Sequence, residues 1–252
     1  MRFKRSFGVL MHPTSLPGRY GIGDLGENTY KFIDFMEKSG AKLWQVMPLG
    51  PTGYGDSPYA CFSAIAGNPL MISPDKLIKE GILSPGDVEP IPEFPEKNVD
   101  FGPVIIYKYS LYKKAFKNFA ASAAGTALKK DYEEFCSCAE NISWIDDFAL
   151  FMALKEKNEG AVWSKWSPAL AKREPEALKA AKKELAETID FHKFLQFLFF
   201  RQWLSAKKYA NDKGISIIGD VPIFVAYDSA DVWTHPEIFH LDAQGDPTVV
   251  AG

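Results

Sequence analysis

Three short, continuous apolar runs constrain this chain more than any other feature: "FGVLM" at 7–11, "LWQVMPL" at 43–49 and "ISIIGDVPI" at 215–223. None alternates cleanly between apolar and polar residues. Strands of that kind belong in a sheet covered on both faces, and such sheets are usually parallel. Between the first two runs, residues 24–39 bring Tyr30, Ile33, Phe35 and Met36 near one helical face, which makes a βαβ unit. Residues 50–214 separate the second run from the third. That connection opens with a Gly/Pro/Ser/Tyr-rich loop at 50–69 and passes through a Pro-punctuated stretch at 84–103. Helical runs follow at 105–121, 128–138, 144–157, 172–187 and 189–213. The last ends in "NDKG", where Gly214 serves as a helix stop just before the third strand. It is the natural crossover helix, and the earlier helices form an inserted subdomain.

The hexapeptide "GIGDLG" at 21–26 matches the dinucleotide pattern G-x-G-x-x-G. Its context does not. "HPTSLPGRY" separates it from the nearest strand, and the acid that would bind a ribose is replaced by the apolar run "LWQVMP". The plainer reading is a glycine-rich loop leading to a helix, with Asp24 and Glu27 forming a D-x-x-E capping box. Each strand is followed by long polar sequence marked by glycine and proline, whereas the helix-to-strand returns are plain. In α/β architecture such loops at the carboxyl ends of strands carry function.

A net charge of −3 offers no electrostatic case for nucleic acid. The N-terminal apolar run is too short for a signal peptide, and "FLQFLFF" at 194–200 is far below a membrane span. Cys61, Cys136 and Cys138 make an odd count, unlike a disulfide framework, and "CSC" without nearby histidines is a poor metal site. The expectation is a cytoplasmic protein with reduced thiols and no metal. His12, His235 and His240 are dispersed, and His192 lies on the crossover helix as a surface or packing residue. No G-x-S-x-G elbow or P-loop is present.

Two stretches have site-like chemistry. "GPTGYGDSPYACFSAIAGNP" sets Tyr54, Tyr59 and Phe62 among glycines, with Asp56, Ser57 and Asn68 as hydrogen-bonding groups. Sugars ask for this mixture, since their C–H faces stack on rings while their hydroxyls take polar partners. The same composition also suits a loop whose tyrosines pack over the insertion, and both readings stay open. In "IIGDVPIFVAYDSADVW", Asp220 emerges where the third strand ends, and a charge abutting "ISIIG" needs a partner or a ligand. Asp228 is expected to cap the helix in "SADVW".

Taken together, "FGVLMHPTSLPGRYGIGDLG", "LWQVMPLGPTGYGDSPYACFSAIAGNP" and "IIGDVPIFVAYDSADVWTHPEIFHLDAQGDPTVVAG" resemble the 4-α-glucanotransferases, the amylomaltase or disproportionating-enzyme family, from about residue 6 to the last. The resemblance implies an α/β fold, a (β/α)8 TIM-type barrel with an inserted helical subdomain. About three barrel strands would be present here. Residues 1–69 would hold the first two strands and the sugar-binding loop, 70–188 the mainly helical insertion, and 189–252 the crossover helix, third strand and following loop. It implies transfer of α-1,4-glucan segments, maltodextrin among them, to a 4-hydroxyl by a retaining double displacement, with no metal or organic cofactor. Tyr59 would stack on the sugar that becomes covalently bound, Ser57 would line that pocket, and Asp220 would support it. Tyr54 and Phe101 would form a second glucan groove, although the family has a tyrosine at the latter position. The nucleophile and the acid/base glutamate are expected beyond Gly252, so the chain alone is expected to be an inactive N-terminal half. The resemblance leaves room for a non-catalytic glucan-binding module or an α-glucan hydrolase of the same clan.

Overall fold

The three apolar runs do form strands, each shorter than its run. The fold is taken from a computed structural model that describes residues 5–249; the side chain of Tyr54 lies outside the description. β1 (Gly8–Leu10), β2 (Leu43–Gln45) and β3 (Ser216–Ile218) make one parallel sheet in that order. The register sets Val9, Trp44 and Ile217 side by side, and Leu10, Gln45 and Ile218 likewise. The helices are α1 (Glu27–Ser39), α2 (Pro74–Lys79), α3 (Phe101–Ala121), α4 (Ala123–Ser137) and α5 (Ala139–Ile142). They continue with α6 (Ile145–Lys157), α7 (Pro168–Ala171), α8 (Pro175–Glu184), α9 (Ala186–Asp212) and α10 (Ala230–Thr234).

The chain divides into two compact units. The first comprises 1–49, 68–132 and 197–221 and contains the sheet. Its core joins Ile33 and Met36 of α1 to Trp44, Ala210 and Ile215, with Val9, Phe32, Trp203 and Ile217 packed against them. Gly214, at φ +69, closes α9 in the left-handed conformation that glycine adopts without strain. The second unit comprises 50–67, 133–196 and 222–252. Its core stacks Phe151 against Trp166 and Trp233, with ring centroids 5.6 and 6.0 Å apart. The Arg173 guanidinium lies 4.3 Å from the centre of the Trp233 ring.

Three expectations are corrected here. The sheet is not covered on both faces: Val9, Trp44 and Ile217 turn to the helices, while Leu10 (57% exposed) and Ile218 (42%) stand on the opposite face. Strand side chains alternate whatever the composition, so a continuous apolar run puts apolar residues on an uncovered face too. On α1, Phe35 points to solvent at 62% exposure and Phe32 takes the inward position. The capping box does not form either. α1 begins at Glu27 with Gly26 as its N-cap, and Leu25 donates its backbone N–H to the Met71 carbonyl at 2.8 Å. The Asp24 carboxylate accepts from Gly26 N at 2.8 Å and lies 3.8 Å from Lys108 Nζ. Glu27 instead pairs with Lys31 along the helix at 2.8 Å. "GIGDLG" is therefore a buried turn. A side chain at Gly23 would put its Cβ 2.1 Å from the Pro13 carbonyl oxygen.

Candidate functional site

The loop after β2 is built from backbone hydrogen bonds before any side chain is considered. Thr52 and Cys61 form an antiparallel bridge, and Gly53 N donates to Ala60 O at 2.8 Å. A single turn at Tyr54–Asp56 makes the tip, with Gly55 at φ +71 and Asp56 at φ +53. Residues with short polar side chains tolerate that conformation, which is why "YGD" can close so tight a hairpin. At the far end of the loop Gln196 clamps Gly67 with two hydrogen bonds. It accepts from Gly67 N at 2.8 Å and donates to its carbonyl at 2.9 Å.

Within the same unit, the segment after β3 packs beside this loop. Ala226 N donates to Cys61 O at 3.2 Å and Ala230 N to Phe62 O at 2.8 Å. Asp231 accepts from Ala64 N at 3.2 Å, and burial pushes its carboxyl above the usual carboxylate range. Lys155, nearly buried, donates to the carbonyls of Gly160 and Ala161 and to Asp228 Oδ2, at 2.5, 3.0 and 2.5 Å. Asp228 Oδ1 in turn accepts from Trp163 N at 3.2 Å. Trp163 Nε1 donates to Tyr227 O at 2.9 Å, and the Tyr227 hydroxyl to Gly245 O at 2.6 Å. The segment is thus held at three successive points.

Asp228 is therefore not the cap of α10. Ser229 is, with its hydroxyl accepting from Val232 N at 3.3 Å. The Lys155 ammonium claims the Asp228 carboxylate, a choice made 73 residues away in sequence that local pattern does not reveal. Sequence reasoning missed Lys155 altogether; a lysine inside the apolar run "FALFMALK" was the available signal. His192 is buried, with Nε2 3.5 Å from Glu156 Oε2, so it is a packing residue.

Of the residues singled out from sequence, Tyr54, Ser57 and Tyr59 share the loop after β2, and the tyrosine at 59 is 47% exposed. Ser57 Oγ accepts from Tyr59 N at 3.3 Å, which fixes the turn that displays this tyrosine. Phe62 turns the other way, its ring centroid 6.4 Å from that of Phe151. Asp220 lies two residues beyond β3 in the first unit and is exposed. Phe101 opens α3, also in the first unit, half-buried against Ile22, Leu70 and Val104. It lines a cleft of about 840 Å³ with the loop residues Thr14, Arg19 and Gly21. Among the described residues no group of three or more His, Cys, Asp or Glu could hold a metal ion, and no helix is long and apolar enough to cross a membrane. No disulfide joins Cys61, Cys136 and Cys138.

A family model described as 4-alpha-glucanotransferase matches residues 11–251. The 4-alpha-glucanotransferase of Thermus thermophilus is 50% identical over 253 residues, which is 100% of this chain and 49% of that protein. The Synechocystis enzyme of the same name is 48% identical over 99% of this chain and 49% of its own length. The structure of the amylomaltase from Streptococcus agalactiae in complex with acarbose superposes with a TM-score of 0.92 at 42% identity, covering 99% of this chain and 50% of that one. The chain thus spans about half the length of the curated relatives it matches. With a parallel βαβ start, a helical connection and a clustered pair of post-strand loops all matching over nearly the whole sequence, the chain belongs to the 4-alpha-glucanotransferase family.

Proposed function

We propose that the protein is a 4-alpha-glucanotransferase, moving α-1,4-glucan segments to the 4-hydroxyl of glucose or another glucan with retention of configuration. The observation that carries this is the family match over residues 11–251. The acarbose complex of the Streptococcus agalactiae relative supports a glucan-binding role for the matching surface. In the retaining mechanism a carboxylate attacks the anomeric carbon while a carboxylic acid protonates the departing sugar oxygen; the acceptor hydroxyl then displaces the enzyme. Both of those groups stand outside these 252 residues in this reading.

What this chain contributes is binding and positioning. Tyr59, exposed on a loop pinned by its backbone, offers a ring face to the sugar that becomes covalently bound, and Ser57 lines that pocket. Asp220, Tyr54 and Phe101 are assigned glucan-binding roles as well. The sheet forms three strands of a (β/α)8 barrel. The uncovered row of Leu10, Gln45 and Ile218 supports this, because a closing barrel would bury it. Residues 1–69 and 189–252 then belong to the barrel and its loops, and 70–188 to the insertion. The protein works in the cytoplasm.

The test is the full-length protein on maltotriose, followed by chromatography. Glucose together with longer maltodextrins supports transfer. Hydrolysis products alone point to a hydrolase of the same clan, and binding without turnover to a glucan-binding module. Asp220→Ala is expected to lower kcat by about 100-fold with the fold intact; near-normal turnover would make Asp220 merely structural.

A further inference from the structure

We infer that a cavity walled by α1, α2 and α9, within the first unit, binds a phosphorylated sugar. It measures about 410 Å³, and Tyr30, Lys76, Lys79, Glu80, Arg201, Gln202 and Ser205 line it. Three of these seven are cations in a chain whose net charge is −3. The one carboxylate, Glu80, is engaged through Oε1 by Arg201 Nη1. Among the described residues neither Lys76 nor Lys79 forms an ion pair. Glu27 feels Lys79 from a distance, but its own partner is Lys31 at 2.8 Å. Both lysines lie in the last turn of α2, where the helix end carries a partial negative charge. That amounts to about half a charge at most, and α2 has only six residues, so two full positive charges exceed it.

The cationic side is already organised. Lys76 Nζ donates to the Tyr30 hydroxyl at 2.7 Å and sits 4.5 Å from the centre of its ring. The Tyr30 hydroxyl lies 3.0 Å from Ser205 Oγ. With the lysine donating to it, Tyr30 can donate to Ser205, which leaves the serine O–H free for a phosphate oxygen. Two ammonium groups and a hydroxyl are the donors a phosphomonoester takes.

Glu80 makes the ligand more than an anion. Its carboxylate lines the cavity beside the three cations. A carboxylate repels the anionic phosphate oxygens, which therefore do not settle on it. A hydroxyl on the molecule that carries the phosphate does. The cavity is also larger than phosphate alone requires. The ligand class is therefore a phosphate ester of a polyol, with the phosphate on Lys76, Lys79 and Ser205 and a hydroxyl on Glu80.

The experiment is a 31P NMR titration of the full-length protein with α-glucose 1-phosphate, with inorganic phosphate as the comparator. Saturable binding of the ester, several-fold tighter than phosphate, is expected. The double variant Lys76→Gln/Lys79→Gln should weaken it at least ~10-fold. Glu80→Met should bring the ester and phosphate to similar affinities. Circular dichroism establishes that each variant folds; if the double variant does not, exposed Ser205→Ala, expected to weaken the ester several-fold, takes its place. No saturable binding up to about 10 mM ester, an affinity unmoved by the substitutions at the lysines or Ser205, or equal affinity of the wild type for ester and phosphate would each overturn the assignment.

Discussion

Lys108 holds its ammonium in a place with no access to solvent, donating to the Leu70 carbonyl at 2.7 Å. Burial lowers its pKa to about 8 although Asp24 pulls the other way, and burial raises Asp24 although Lys108 and Gly26 N oppose it. Both shifts have the sign of desolvation. At 3.8 Å the pair does not recover what each charge loses on leaving water. Between about 8 and the ordinary 10.5, the unfolded chain therefore holds the more protons at this site, and Lys108 makes stability rise with pH across that window. Urea unfolding at pH 7.5 to 10.5 should show a steeper rise in wild type than in Lys108→Met. Parallel profiles would mean the amine is already neutral or better solvated. Lys155 is the contrasting case, because its three acceptors satisfy the ammonium. Lys155→Met should cost about 3 kcal/mol in denaturant unfolding, chiefly by stranding Asp228, and adding Asp228→Asn should recover part of it. If the double variant is no more stable than the single, the pair is not the source.

At the level of elements, the sequence was most legible where one residue decides. Gly214 is legible as a helix stop because glycine so often ends a helix in the left-handed conformation, and at φ +69 it does stop α9. Gly214→Ala should destabilise by about 1 kcal/mol, measured as a drop in melting temperature; no change would mean the turn relaxes. The helical spans and the parallel pairing were legible for a similar reason, since periodicity and long crossovers leave few alternatives. Caps were not. Asp24 and Asp228 each sit at a position suited to a helix start, and each is taken by a distant lysine. A capping bond of about 1 kcal/mol loses to a buried ion in need of a counter-charge. The clamp on Gly67 has a twin in Gln202, which accepts from Ser73 N at 2.8 Å and donates to its carbonyl at 3.3 Å. No local pattern marks either glutamine, because the partner in each case lies 129 residues away.

For the whole molecule, recognition came from long loop motifs rather than from any arrangement of acids. That is what a chain covering about half of its relatives should offer. The loop tyrosines could be named because aromatic residues among glycines are conspicuous. Their display could not be, since exposed Tyr59 and inward Phe62 differ only in what later residues cover. Residues 1–252 alone are expected to leave maltotriose unchanged over a period in which the full-length protein converts it. Turnover by a preparation free of longer protein would refute this. The sheet has a further bearing on such a preparation. With the order β1-β2-β3, the outer strands each keep one side of their backbone unmatched among the described residues, next to exposed Leu10 and Ile218. Open parallel edges beside apolar side chains are templates for another chain to add to. A solution of this chain by itself should therefore have a concentration ceiling and a shelf life, both set by strand addition between copies.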